Sequence, residues 1–146
     1  MGHRLFTEQA LSRILCKRRF LGRERGFYLN KRKVGANGER IAGIFLEKQG
    51  YQILQYNFRC RSGEIDLIAR EGAYLVFAEV KYRRNGTFGT ALEAVNVRKQ
   101  RQICRTARIF LLRHPSYWEF PSRFDVVAIQ GEEIFLIKNA FSYLEE

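Results

Sequence analysis

The spacing of apolar positions changes several times along the chain, and each change marks an element. Ala10, Leu11, Ile14 and Leu15 recur at helical spacing among Arg13, Lys17, Arg18 and Arg19, which predicts a short basic amphipathic helix over residues 7 to 21. Ile41, Ala42, Ile44, Phe45 and Leu46 form a second stripe, with Asn37 placed to cap it and Gly50 to stop it, so a core helix is expected over about 37 to 49. Tyr51 to Phe58 mixes aromatic and aliphatic residues with Gln52, Gln55 and Asn57 and reads as a strand. Two apolar runs, Gly63 to Ala69 and Tyr74 to Lys81, then flank Arg70-Glu71-Gly72-Ala73, the pattern of a β-hairpin. With Gly72-Ala73 as a two-residue type II′ loop, Asp66 falls opposite Glu79 and Glu64 opposite Lys81, while the two-residue period puts Glu79 and Lys81 on one face.

Further on, Thr90 and Glu93 have the spacing of a capping box, opening a long helix to about Arg113 that buries Val95, Ile103, Ala107, Phe110 and Leu111. His114 to Pro121 reads as a loop, with Trp118 over the edge of the core, and Phe124 to Ile129 with Ile134 to Lys138 as a second hairpin. The order is helix, three strands, helix, strand, strand. A helical crossover between the third and fourth of these strands requires a parallel pair, so an α/β fold with a mixed sheet flanked by helices is expected.

Composition sharpens this picture in one respect. The 146 residues suit a single domain with a real core, and the formal net charge is +11. Residues 1 to 33 hold ten Lys and Arg against Glu8 and Glu24, so most of the surplus sits in a basic N-terminal extension ahead of an α/β domain at 34 to 146. A solvated tail and a nucleic-acid-binding arm are equally consistent with that stretch. The long helix adds Arg98, Arg101, Arg105 and Arg108 in steps of three and four, four guanidinium groups along one side with little acidic relief. Such a chain suits a polyanion, nucleic acid first and an anionic membrane surface second. Cys16, Cys60 and Cys104 have no metal-ligand spacing, and their odd number suggests free thiols in a reducing compartment, hence a cytoplasmic protein. No apolar run approaches the ~20 residues of a membrane span.

Candidate chemistry lies in the first hairpin. Facing carboxylates at Asp66 and Glu79 repel and call for a counter-cation, either Lys81 or a divalent metal. Ordinary roles are open to each residue: Glu79 and Lys81 as a strand ion pair, Asp66 as a structural acid, Glu39 as a first-turn carboxylate favoured by the helix dipole, and Asp125 as a sheet-edge or structural acid.

The ordered set Asn37-Gly38-Glu39, Gly50-Tyr51, Gly63-Glu64-Ile65-Asp66-Leu67-Ile68, Phe77-Ala78-Glu79-Val80-Lys81, Phe88-Gly89 and Arg123-Phe124-Asp125-Val126-Val127 resembles the uncharacterised bacterial YraN-type family. That family is related to Holliday-junction resolvases and restriction endonucleases of the PD-(D/E)XK superfamily. The resemblance covers about residues 35 to 138. Two positions depart from the pattern: Ile65 stands where the superfamily name has proline, and Ala78 where a valine is expected. The resemblance implies a restriction-endonuclease-like core and a Mg²⁺- or Mn²⁺-dependent nuclease, with a non-catalytic nucleic-acid-binding module on the same fold as the alternative. It implies that Asp66 and Glu79 hold the metal, that Lys81 orients the attacking water, and that Glu39 is an accessory acid. Arg59, Arg61, Arg83, Arg84, Arg98, Lys99, Arg101, Arg105 and Arg108 would contact nucleic acid, DNA in preference to RNA. Lys99 or Gln100 would support Lys81 or a substrate phosphate, and a homodimer is compatible with the fold.

Overall fold

The computed structural model describes residues 14–19, 34–83, 95–131 and 133–145. Six strands, β1 (Ile14–Arg19), β2 (Gln52–Cys60), β3 (Gly63–Glu71), β4 (Tyr74–Arg83), β5 (Ser122–Gln130) and β6 (Glu133–Phe141), form one sheet in the order β1-β6-β5-β4-β3-β2. Helix α1 (Val34–Lys48) precedes β2, and α2 (Val97–Arg113) crosses from β4 to β5, the parallel pair; a 3₁₀ turn at Pro115–Tyr117 follows α2. The sheet is therefore mixed and helix-flanked, consistent with a restriction-endonuclease-like core. Each helix buries its stripe on a different face. Phe110, Ile103, Ala107 and Leu111 pack with Phe77, Phe124, Ile65 and Ile68, whereas Phe45, Leu46, Ile41 and Ala42 pack with Leu67, Ala69, Val76 and Val127.

The first hairpin has the expected register. Glu71 pairs with Tyr74 and the ladder runs to Leu67 opposite Ala78, closed by Gly72 at φ 57°. The positive φ stands at the first loop position, where a type II′ turn needs glycine. Helix α1 ends as expected too. Gly50 sits at φ 92°, Tyr51 N donates to Leu46 O at 3.0 Å and Gly50 N to Glu47 O at 3.0 Å, the paired bonds of a Schellman stop.

Three local expectations change. Residues 14–19, inside the expected basic helix, form β1 instead, antiparallel to β6 with Ile14 opposite Lys138 and Arg19 opposite Glu133; the rest of that helix lies outside the described residues. An open strand edge on β6 offers backbone partners that a short, weakly apolar helix lacks, and tertiary pairing overrides local spacing. Helix α1 starts at Val34, which moves Glu39 out of the first turn and removes its helix-dipole explanation. Helix α2 starts at Val97 with Asn96 as cap, its side chain accepting from Lys99 N at 2.9 Å; Thr90 and Glu93 lie outside the described residues. Trp118 is half-exposed and fastened by its Nε1 donating to Leu111 O at 2.6 Å. No helix among the described residues is long and apolar enough to cross a membrane.

Candidate active site

Strand β3 does not keep one alternation along its length. Ile65 packs on the α2 side and Leu67 on the α1 side, although residues two apart on a regular strand share a face. On β2 the same happens between Phe58, which packs on Phe110, and Tyr56, which lies against Gly43 of α1. Asn57, between them, has a left-handed φ of 51°. The two strands thus rotate together at Asn57 and Asp66. At that point the Asp66 carboxylate reaches along the sheet, and its Oδ2 accepts the N–H of Val80 at 2.8 Å.

This bond carries the strand pair past its last ladder position and brings Asp66 beside Glu79. Both acids are buried, Asp66 8 % and Glu79 4 % exposed. Glu79 Oε1 is 2.9 Å from Lys81 Nζ and 3.4 Å from Lys99 Nζ, the latter arriving from the first turn of α2. Its other oxygen, Oε2, is buried and accepts no hydrogen bond from the described residues. Burial, and then the neighbouring Glu79 charge, push the Asp66 carboxyl up to about 7; the Val80 N–H opposes this, Glu39 adds to it and Lys99 opposes it. Two carboxylates and two ammonium groups therefore share one low-dielectric cleft between the β3–β4 hairpin and the start of α2.

The expected residues divide among three places. Asp66, Glu79 and Lys81 come together, with Lys99 as a fourth member. Glu39 is half-buried and close enough to act on Asp66 through its charge, yet no group of three or more His, Cys, Asp or Glu among the described residues is compact enough to hold a metal ion. Arg59 and Arg61 are exposed at the β2–β3 turn, with Arg59 Nε 3.1 Å from Glu64 Oε2. Glu64 thus faces Arg59 on the β2 side, and the β3–β4 ladder ends at Leu67 and Ala78, short of the expected pairing of Glu64 with Lys81. Arg98, Arg101, Arg105 and Arg108 are exposed on the outer side of α2, and Gln100 turns back to Val95 O at 2.8 Å. Arg84 and the side chain of Arg83 lie outside the described residues.

Lys99, expected to support Lys81 or a substrate phosphate, reaches the same Glu79 oxygen as Lys81, a contact that the sequence pattern did not show. The pattern also did not show a second polar centre, on the α1 face. Asp125, fully buried on the interior strand β5, accepts from Arg123 Nε at 2.8 Å and Nη2 at 2.9 Å, from Tyr51 Oη at 3.0 Å and from Asn139 N at 3.0 Å. Arg123 Nη1 continues to Glu71 Oε2 at 2.9 Å, and Lys138 Nζ closes on Glu71 Oε1 at 2.7 Å. Asp125 is a structural acid, and its interior position rules out the sheet-edge role. Burial and the adjacent Asp125 charge raise the Tyr51 hydroxyl far above its usual range, so Tyr51 stays a donor to that carboxylate.

The family model described as "Uncharacterised protein family UPF0102" matches residues 38–129, a span that includes Glu39, Asp66, Glu79, Lys81 and Lys99. A UPF0102 protein of Lachnoclostridium phytofermentans is 52% identical over 113 residues, covering 77% of this chain and 96% of the relative. One from Vibrio campbellii is 44% identical over 116 residues, covering 77% and 95%. Another from Stutzerimonas stutzeri is 43% identical over 111 residues, covering 73% and 92%.

Proposed function

The chain belongs to the UPF0102 family, and on that premise we propose that it is a metal-dependent endonuclease of PD-(D/E)XK type that hydrolyses phosphodiester bonds in DNA, with branched or otherwise structured DNA as the substrate class. The observation that carries this reading is Glu79 Oε2, a buried carboxylate oxygen without a hydrogen-bond partner among the described residues, set beside a second buried acid. A buried acceptor of this kind costs about 1–3 kcal/mol when unpaired. Hard oxygen donors suit Mg²⁺ or Mn²⁺, so the donor set fits the ion, with Asp66 and Glu79 holding it. Bound there, the cation would supply Lewis-acid polarisation of a phosphoryl oxygen and a more acidic water.

The chain's own groups do the rest. Lys81 and Lys99 converge on Glu79 Oε1 and stand ready to turn to an anionic substrate, where an ammonium stabilises charge that develops on phosphate oxygens. Lys81 is the residue for orienting the attacking water, and Lys99 the residue for a non-bridging oxygen. The Val80 N–H fixes the Asp66 carboxylate in the plane of the sheet, so its position does not depend on a flexible side-chain partner. Glu39 contributes field to the site from α1.

Purified protein should cleave some member of a panel of duplex, flap, single-stranded and four-way DNA in Mn²⁺. Asp66→Ala, Glu79→Ala and Lys81→Ala should each lower the rate at least about 100-fold. No cleavage of any substrate with either Mg²⁺ or Mn²⁺ sinks the reading. A second reading, a nucleic-acid-binding module without turnover, draws on Lys81 and Lys99, which already balance the Glu79 charge without a metal. Thermal melting separates the two. An ion that binds the folded state raises Tm by mass action, so a Mn²⁺-dependent rise that disappears in Asp66→Ala supports the enzyme, and an unchanged Tm supports the module.

A further inference from the structure

Helix α2 carries cations on two of its sides. Lys99 faces the sheet and reaches Glu79, while Arg98, Arg101, Arg105 and Arg108 are exposed. At 3.6 residues per turn the centre of the arginine row lies about 140° around the helix from Lys99. Nucleic acid seated against Lys99 in the cleft therefore does not run along the arginine row; the two face different segments of a ligand. We propose that the outer row of α2 is a second phosphate-binding surface, which grips duplex DNA outside the cleft.

Three features support this occupant. No acidic residue occurs anywhere in α2, VRKQRQICRTARIFLLR, so the helix does not neutralise the row itself. The neighbours in the row repel at three- and four-residue spacing, by a few tenths of a kcal/mol per pair, and a phosphate backbone relieves that repulsion. The row spans about 15 Å, over which a duplex lying alongside presents about nine phosphates. The helix is also held rigidly, through Ile103, Cys104, Ala107, Phe110 and Leu111 buried in the core, so the guanidinium groups ride on a fixed backbone. A membrane-surface helix would turn its apolar side outward; here that side is the one packed on the sheet. The choice of DNA as the polyanion rests on the nuclease reading of the cleft, but the surface itself does not need turnover.

The test is binding of a labelled duplex to the full chain in EDTA, where cleavage plays no part, as a function of salt between about 50 and 200 mM. Replacing Arg98, Arg101, Arg105 and Arg108 together by Gln should weaken binding at least tenfold at the low end and make the log–log salt slope shallower by up to about 3.6. The four-lysine variant should restore the slope, since the contact is to charge. The melting temperature of the Gln variant is recorded alongside. If it melts early, single Arg101→Gln and Arg108→Gln variants decide, each expected to remove about 0.9 from the slope. An unchanged slope, or loss of binding to anionic vesicles with DNA binding intact, overturns the proposal. Absence of cleavage by the wild type with this slope change present would instead count against the nuclease reading alone.

Discussion

At the scale of single residues, the contrast between Asp66 and Asp125 shows what burial demands of a carboxylate. Asp125 has a donor for every lone pair it can offer, from Arg123, Tyr51 and Asn139. Asp66 accepts one backbone N–H and faces a second acid. The first arrangement is what a fold needs, and the second leaves capacity for a ligand. Arg123 holds the first together. Burial lowers its pKa, yet hydrogen bonds and charge from Asp125 outweigh that and keep the guanidinium ionised. Arg123→Met would leave Asp125 a buried charge without its cation, while Glu71 keeps Lys138, a loss of about 3–5 kcal/mol for a broken buried pair. Arg123→Lys keeps the charge but not the planar fork that reaches three acceptors, and should lose less. Urea unfolding of both variants measures the difference; equal stability of Arg123→Met and wild type would show that the network is not structural.

At the scale of elements, the first turn of α2 carries Lys99, the single lysine of that helix and the one that meets Glu79. Asn96 accepts the N–H of Lys99 itself, so one bond both begins the helix and fixes the residue whose side chain meets Glu79. Asn96→Ala should cost about 0.5–2 kcal/mol, and Asn96→Asp or Asn96→Ser should recover most of it; denaturant midpoints report the order. The same element shows where sequence was informative. Its buried stripe of Ile103, Ala107, Phe110 and Leu111 was legible because helical spacing is a local signal, and so was the hairpin register, because Gly72-Ala73 selects a two-residue loop. The start of α2 was less so, since Thr90 and Asn96 both qualify as caps on composition. The rotation at Asn57 and Asp66 left no mark at all. It is made by two paired strands turning at one position, and a left-handed asparagine inside a strand does not differ in sequence from an ordinary polar one. Asp66, Glu79 and Lys81 were thus identifiable as a group, but the sideways reach of Asp66 to Val80 was not.

At the scale of the whole molecule, the sheet carries two polar centres with opposite responses to pH, and a stability optimum on the acid side of neutrality is the expected outcome. Asp66, held at about 7 against an ordinary 3.8, binds a proton in the folded state over a range in which the unfolded chain does not. Its contribution is fully present below the unfolded value and is lost as pH rises through the folded one, so stability in metal-free buffer should fall between about pH 4 and pH 7. Glu71 runs the other way. Burial alone would raise it, but the hydrogen bonds from Lys138 and Arg123 overcome that and lower it below its ordinary 4.5. Its contribution is present above the unfolded value and is lost as pH falls through the lowered one. The Glu71 limb therefore lies on the acid side of the Asp66 limb. Asp66→Asn, which keeps an acceptor for Val80 N–H, should flatten the upper limb and leave the protein more stable at pH 7 than the wild type by about 1 kcal/mol or more. Glu71→Gln should instead reduce stability at neutral pH and flatten the lower limb. Tm recorded in EDTA across pH 3 to 8 for the three proteins measures both. An upper limb that persists in Asp66→Asn would place the titrating group elsewhere in the fold. Added Mn²⁺ should flatten the same limb in the wild type, because an ion bound by Asp66 and Glu79 favours the ionised pair, and should leave Asp66→Asn unchanged.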